Sequence, residues 1–155
     1  MASNPASLDL PEIRRMQTED LAKVFEIELK AYPFPWTEQI FIDCLQSGFP
    51  AWVMLCEGEV CAYSLVSLGA GESHLLNLCV APQYQGAGLG SGFLDWLLKE
   101  VRHKGAEVMF LEVRPSNPAA IGLYESRGFN QIGLRPGYYR MGSVREDAIV
   151  MACQL

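Results

Sequence analysis

The sequence has no apolar run near the ~18 residues that a membrane-spanning helix needs. Its first thirty residues also lack the basic, apolar and small-residue succession of a secretory leader. Both absences lead to the expectation of a cytoplasmic protein that engages no membrane. Positive charge is scarce as well. Twelve Lys and Arg stand against 18 Asp and Glu, the formal charge is −6, and Arg14-Arg15 is the only adjacent basic pair. A protein that grips a phosphate backbone needs a basic stripe, so direct nucleic-acid binding is not expected. The two histidines, His74 and His103, have no metal-ligand spacing to each other or to the cysteines. That argues against a zinc site and against a His-activated nucleophile. The five cysteines (Cys44, Cys56, Cys61, Cys79, Cys153) contain no CxxC pair and lie mostly in apolar runs. They read as reduced, buried thiols. Internal repeats and low-complexity segments are missing too.

What is present is a globular composition: 155 residues, half of them apolar and 19% charged. This length fits one domain, which can bury roughly two thirds of its surface on folding. Residues 1–10 are polar and contain proline, and read as a flexible N-terminal segment before a domain over 11–155. Ile13 to Met16 is a first strand. Thr18 is placed to cap a helix running to about Lys30, with Glu19 and Asp20 complementing its dipole. Pro33 and Pro35 make Ala31 to Trp36 a loop, and Thr37 caps a second helix that Gly48 ends. Ala51 to Glu57 and Val60 to Leu68 form a hairpin about Gly58-Glu59, followed by a strand from Ser73 to Ala81. Leu89 to Lys104 has an apolar helical face (Leu89, Phe93, Trp96, Leu97, Val101). Glu107 to Val113 is nearly all apolar and reads as a central strand covered on both faces. Asn117-Pro118 opens a helix that stops at Gly128, and strands follow at Phe129 to Leu134 and Ala148 to Cys153. Arg135 to Asp147 reads as a long loop between them. The expectation is an α/β domain with a single mixed central sheet of about seven strands and about four flanking helices.

The most informative segment is Val80 to Gly92, VAPQYQGAGLGSG. A strand ends there, and glycines at 86, 88, 90 and 92 lead into a helix. Glycine permits positive φ and close backbone approach, and free N–H groups at a helix start attract anions. A pyrophosphate is the natural occupant. The P-loop pattern fails, because Ser91-Gly92 stands where Lys-Ser/Thr is required. The dinucleotide fingerprint fits only with Ser91 at its last glycine, and after about the fourth strand rather than the first. A tight strand-to-helix turn with no ligand remains the other reading of the glycines alone.

Gln85-Gly86-Ala87-Gly88-Leu89-Gly90 resembles the Q/R-x-x-G-x-G/A motif of the GCN5-related N-acetyltransferases, the GNAT family. The order of elements from about Ile13 to Cys153 resembles that family's as well. The resemblance implies the acyl-coenzyme A N-acyltransferase fold, acetyl-coenzyme A as acetyl donor, and no metal. It implies cofactor contacts from Leu78, Cys79 and Val80, from Gly86, Ala87, Gly88, Leu89, Gly90 and Ser91, and from Asn117. Relatives carry larger basic residues at the positions of Gly86 and Ser91, so contacts there would be mainly through backbone. Phe34-Pro35-Trp36, the run from Leu111 to Glu125, Tyr138-Tyr139 and Arg145 to Ala148 resemble segments of one branch of the family. These are bacterial enzymes that acetylate the N-terminal alanine of small-subunit ribosomal protein 18. The implied partner is thus a protein N-terminus; the oligomeric state is not legible.

Two side chains suit the chemistry. Glu112 is a carboxylate in an apolar strand, sharing a face with Val108 and Phe110. It is either a strand-end acid that faces solvent or pairs with Arg114, or a general base acting directly or through a water chain. A free α-amine has a pKa of about 7.7–8, so its proton needs only modest help to leave. Tyr124 is either amphipathic packing with Ile121, or the general acid that protonates the departing coenzyme A thiolate. A free N–H on Leu78 to Val80 would stabilise the oxyanion if that strand splays or bulges. Transfer is then direct, in a ternary complex, and Cys79 need not act. Phe34 and Trp36 on one loop, and Tyr138, Glu146 and Asp147 on another, are the expected walls of the amine-side slot; the other readings are a packed lid over the core for Phe34 and Trp36, and a solvated loop for the two acids. The alternative substrate is a lysine side chain or a small-molecule amine, and a non-catalytic acyl-coenzyme A sensor is a third reading.

Overall fold

The computed structural model describes residues 11–155, so the expectation for residues 1–10 lies outside the described residues. The strands are β1 (Glu12–Arg15), β2 (Ala51–Cys56), β3 (Glu59–Gly69), β4 (Glu72–Val80), β5 (Val108–Val113), β6 (Asn130–Met141) and β7 (Val144–Gln154). The helices are α1 (Leu21–Ala31), α2 (Glu38–Gln46), α3 (Leu89–His103) and α4 (Pro118–Ser126). The strands form one seven-stranded sheet in the order β1-β2-β3-β4-β5-β7-β6. Only β4 and β5 pair in parallel; the remaining neighbours are antiparallel. The expected mixed sheet with four helices is therefore observed. Among the described residues no helix is long and apolar enough to cross a membrane.

Local chemistry accounts for most boundaries. The Thr37 hydroxyl accepts from Ile40 N–H (3.3 Å), and the Asn117 carboxamide oxygen accepts from Ala120 N–H (3.2 Å). The Asn117 bond satisfies a helix-start amide that has no other partner, and the Thr37 hydroxyl shares Ile40 N–H with the Thr37 carbonyl (3.1 Å). The β2–β3 turn is at Glu57-Gly58, with φ of +52° and +81°, one residue earlier than expected. The start of α1 also differs. Thr18–Asp20 is a separate 3-10 turn with Gln17 before it. Asp20 accepts from Gln17 N–H (2.7 Å) and is gripped by Arg14 (2.8 and 2.9 Å). That clamp, not a Thr18 cap, sets the helix entry.

The sheet carries a core on each face. Phe93, Leu94, Leu97 and Val101 of α3 pack over Met54, Met109 and Leu111. Val24 and Ile27 of α1 and Phe41 of α2 pack over Val53, Tyr63 and Leu65. Each fully buried large side chain contributes roughly 1.5–3 kcal/mol. β5 departs from its expected double coverage. Met109, Leu111 and Val113 are buried, whereas Val108, Phe110 and Glu112 are half-buried, because α1 and α2 do not extend over that part of the sheet.

The expected loop at Arg135 to Asp147 is instead the far end of the β6–β7 hairpin, turning at Gly142 (φ +63°). Pro136 and Gly137 would end an interior strand, but β6 is an edge strand, where proline is tolerated. The register slips between Arg135↔Ala148 and Tyr139↔Glu146. Gly137 (φ +60°) sits in this bulge, and its N–H donates to Asp147 Oδ1 at 2.9 Å. The bulge absorbs the break and the strand continues.

The feature that matters most for function is a fork. β4 pairs with β5 only from Glu72↔Val108 to His74↔Phe110. β4 then bulges at Leu76, between the pairs Val66↔Leu75 and Leu65↔Asn77 on the β3 side. Beyond that point β4 and β5 diverge.

Candidate active site

The fork leaves backbone donors unused. Ala81 N–H donates to Cys61 C=O of β3 at 2.8 Å. Antiparallel alternation then turns the amides of Leu78 and Val80 away from β3 and into the fork. A cavity of about 840 Å³ occupies this opening, within the range of small-molecule sites. Leu78, Cys79 and Val80 line it on the β4 side, and Glu112 on the β5 side.

At one end of the cavity is the glycine turn. Gly86 (φ +86°) and Gly88 (φ +80°) take left-handed conformations that other residues adopt only with strain. Gly88 immediately precedes α3, and no side chain caps the helix. Its first closing bond is Gly92 N–H to Gly88 C=O, 3.0 Å. The amides of Leu89, Gly90 and Ser91 are therefore without intrahelical partners and lie at the positive end of the helix dipole. Gly86, Gly88, Leu89, Gly90 and Ser91 all line the cavity, while Ala87 does not. Arg114 is the only lysine or arginine in the lining, and it belongs to the other end of the cleft. This donor set fits a diphosphate held through backbone. Asn117 also lines the cavity, with its side chain engaged as the α4 cap.

At the other end are side chains. The Glu112 carboxylate is 8% exposed, and its Oε1 lies 2.7 Å from His74 Nε2. A carboxylate can only accept, so the imidazole donates from Nε2. Arg135 Nε is 3.9 Å from Oε2. The expected alternative partner, Arg114, is directed elsewhere. It donates to Arg140 C=O (2.9 Å) and Glu146 Oε1 (3.2 Å), and lies over the rings of Tyr139 and Phe34 (4.3 and 5.4 Å to the centroids).

Tyr124 lines the cavity and packs edge-on against Phe129, 5.6 Å between centroids. Burial pushes its phenol up to about 12, so it holds its proton at every physiological pH. Burial also raises Tyr139 and carries Tyr32 well above the usual phenol range. The same cause lifts the Cys79 thiol to about 11. Cys79 is therefore a packed thiol with little thiolate to offer.

The amine-side residues divide. Phe34 and Trp36 line the cavity, and Trp36 is anchored against Phe41 at 5.1 Å. Glu146 lines it too, but its carboxylate already accepts from Ser116 N–H (2.8 Å), Ser116 Oγ (2.9 Å) and Arg114. Partial desolvation pushes that carboxyl up, and the Ser116 and Arg114 contacts outweigh it to hold it below the usual range. Tyr138 and Asp147 lie outside the lining. Tyr138 is exposed and stacks edge-on with Tyr139, and Asp147 braces the β6 bulge.

Three further side chains were not singled out by the sequence. Glu28 is 2% exposed and lines the cavity. It accepts from Tyr63 OH (2.6 Å), Asn77 Nδ2 (3.0 Å) and Trp36 N–H (2.9 Å), which ties the Trp36 loop to β3 and β4. An acid on the apolar stripe Leu21, Val24, Glu28 is the signal that could have found it. Tyr32 donates to Leu78 C=O (3.2 Å). His74 carried no signal beyond its residue type. Among the described residues, no group of three His, Cys, Asp or Glu could hold a metal ion.

Comparison with known proteins gives a consistent result. The model of the Acetyltransferase (GNAT) family matches residues 14–129. The chain is 39% identical over 140 residues to the [ribosomal protein bS18]-alanine N-acetyltransferase of Escherichia coli K12, covering 90% of this chain and 95% of that one. It is 36% identical over 137 residues to the enzyme of the same name from Salmonella typhimurium, covering 88% and 93%. The crystal structure of the Escherichia coli ribosomal-protein-S18-alanine N-acetyltransferase superposes with a TM-score of 0.87 at 38% identity, covering 92% of each chain. The glycine turn, the fork and the matched sequence agree that this chain belongs to the GNAT family of acetyltransferases.

Proposed function

We propose that the protein transfers the acetyl group of acetyl-coenzyme A to the α-amine of a protein N-terminus, the N-terminal alanine of ribosomal protein bS18. The observation that carries this reading is the fork: it joins an amide-lined anion site and a shielded carboxylate in one cleft. Residues 11–155 act as one N-acetyltransferase domain, working in the cytoplasm. The match to bS18-alanine acetyltransferases over nearly their full length supports the choice of substrate.

Acetyl-coenzyme A supplies an activated thioester carbonyl. The amides of Leu89, Gly90 and Ser91 hold its diphosphate, with Gly86, Gly88 and Asn117 shaping the turn and its edge. An amide of Leu78 or Val80 donates to the carbonyl oxygen as negative charge develops there. Glu112 takes the proton of the incoming ammonium and frees its lone pair for attack. Tyr124 gives its phenolic proton to the departing sulfur, and the phenolate takes the second proton of the attacking nitrogen as the amide forms. A phenol at about 12 facing a thiol near ~8.5 is a mismatch of roughly 5 kcal/mol. The same burial destabilises the thiolate, which narrows the gap. No residue forms a covalent acyl intermediate. The loop bearing Phe34 and Trp36 and the hairpin bearing Tyr138, Glu146 and Asp147 flank the peptide's path.

The test is acetylation of a peptide copying the bS18 N-terminus, against the same peptide with its α-amine blocked and an internal lysine added. Acetate on the free α-amine alone is expected. Equal rates on the blocked peptide would overturn the reading.

A further inference from the structure

We infer that His74 is a positioning residue for Glu112, holding the carboxylate through Oε1 so that Oε2 is the oxygen presented to the substrate amine. This rests on the reading of Glu112 as the base.

The geometry isolates the pair. The nearly buried Glu112 carboxylate has one hydrogen-bond partner among the described residues, His74 Nε2 at 2.7 Å. Charged and titratable groups approach from each neighbouring element, and none replaces it. Arg135 of β6 is 3.9 Å away and 56% exposed, beyond hydrogen-bond reach. Tyr139 of β6 and Tyr124 of α4 lie near enough to interact electrostatically with one another and, for Tyr139, with Glu112, but neither donates to it. Arg114 of β5 is committed to Glu146 and the Arg140 carbonyl.

His74 is well placed to impose a direction. It is the last β4 residue in the parallel ladder, opposite Phe110, and it also pairs with Ser67 of β3. Its backbone is thus fixed from both sides immediately before the fork opens. Glu112 is two residues beyond Phe110 on the same face, with no β4 backbone opposite it. A glutamate side chain has several staggered rotamers, and a misplacement of about 1 Å can cost a hundredfold in rate. The imidazole selects one. Glu112 lines the cavity and His74 does not, so the ring holds the carboxylate from behind and leaves the substrate slot clear.

The bond also divides the two oxygens. With Oε1 occupied by the imidazole, Oε2 keeps its lone pairs for an incoming amine. A residue that merely filled space would not be replaceable by another N–H donor.

The experiment compares His74→Ala, His74→Gln and Glu112→Gln in the full chain, with acetyl-coenzyme A and a free-amine bS18 peptide. His74→Ala should lower kcat by about 10- to 100-fold and leave KM for acetyl-coenzyme A within about twofold. His74→Gln, which keeps an N–H donor of similar reach, should recover most of kcat. Thermal melting of each variant reports on folding. The inference fails if His74→Ala keeps the wild-type kcat, or if Gln and Ala variants that melt alike lose activity alike. An inactive Glu112→Gln beside a fully active His74→Ala would sink this inference and leave the base intact. A fully active Glu112→Gln would remove the base reading, and this inference with it.

Discussion

The two ends of the cleft use different chemistry. At the glycine turn the free donors are backbone amides, and Gly86 and Gly88 take the positive φ that shapes it. At the fork, Glu112, His74, Tyr124 and Tyr139 come from β5, β4, α4 and β6, and backbone only frames them. On the proposed reading, the first end meets a group that recurs in every turnover, and the second places a proton acceptor against the substrate amine. One end is thus built within a short stretch of chain, and the other from parts far apart in sequence.

This contrast can be tested by damaging each end separately. The largest effect belongs to the side-chain end. Glu112→Gln should reduce kcat by roughly 10³-fold, and Tyr124→Phe by about 10²-fold. Binding of acetyl-coenzyme A, measured by calorimetry, should stay within about twofold of wild type in both. Loss of binding in step with loss of turnover would break the division. A smaller and opposite signature is expected from Gly88→Ala. A side chain in the left-handed region costs roughly 1–2 kcal/mol, which corresponds to about a tenfold weaker cofactor affinity with kcat at saturation preserved. The smallest effect comes from a site outside both ends. Arg14→Ala removes the clamp on Asp20 and should cost about 1 kcal/mol of stability, modest because Arg14 is more than a third exposed. The Arg14 hydrogen bonds hold the Asp20 carboxyl below its usual range. Its contribution is therefore complete above about pH 4 and is lost as pH falls through the lowered value. Denaturant melts of the two proteins should differ at pH 7 and converge in acid, with turnover unchanged.

Legibility in the sequence follows the same division. The glycine turn is readable because a positive φ leaves its mark on residue type, here at 86 and 88. Glu112 is readable because an acid is conspicuous in Val108-Met109-Phe110-Leu111. His74 is not, since its contact with Glu112 depends on which β4 residue the parallel ladder sets beside β5, a non-local fact. The β6–β7 hairpin was hidden for a related reason. Pro136-Gly137 is a strand-breaking pair, and the carboxylate that lets the strand continue, Asp147, lies ten residues away. Glu28 was visible in principle on the apolar stripe of α1, but its bonds to Tyr63, Asn77 and Trp36 span three other segments.

The short ladder between β4 and β5 also gives the sheet a seam. The backbone ladder between the first four strands and the last three has only three paired positions, Glu72 to His74 against Val108 to Phe110, and α3 bridges the two parts through the core it covers. On the proposed reading, a ligand wedged into the opening would meet amides that no protein carbonyl reaches, and act as mortar beside that short ladder. Ligand at a hundred times its dissociation constant would add about 2.7 kcal/mol of cohesion. The empty enzyme is then the form that proteases should find first.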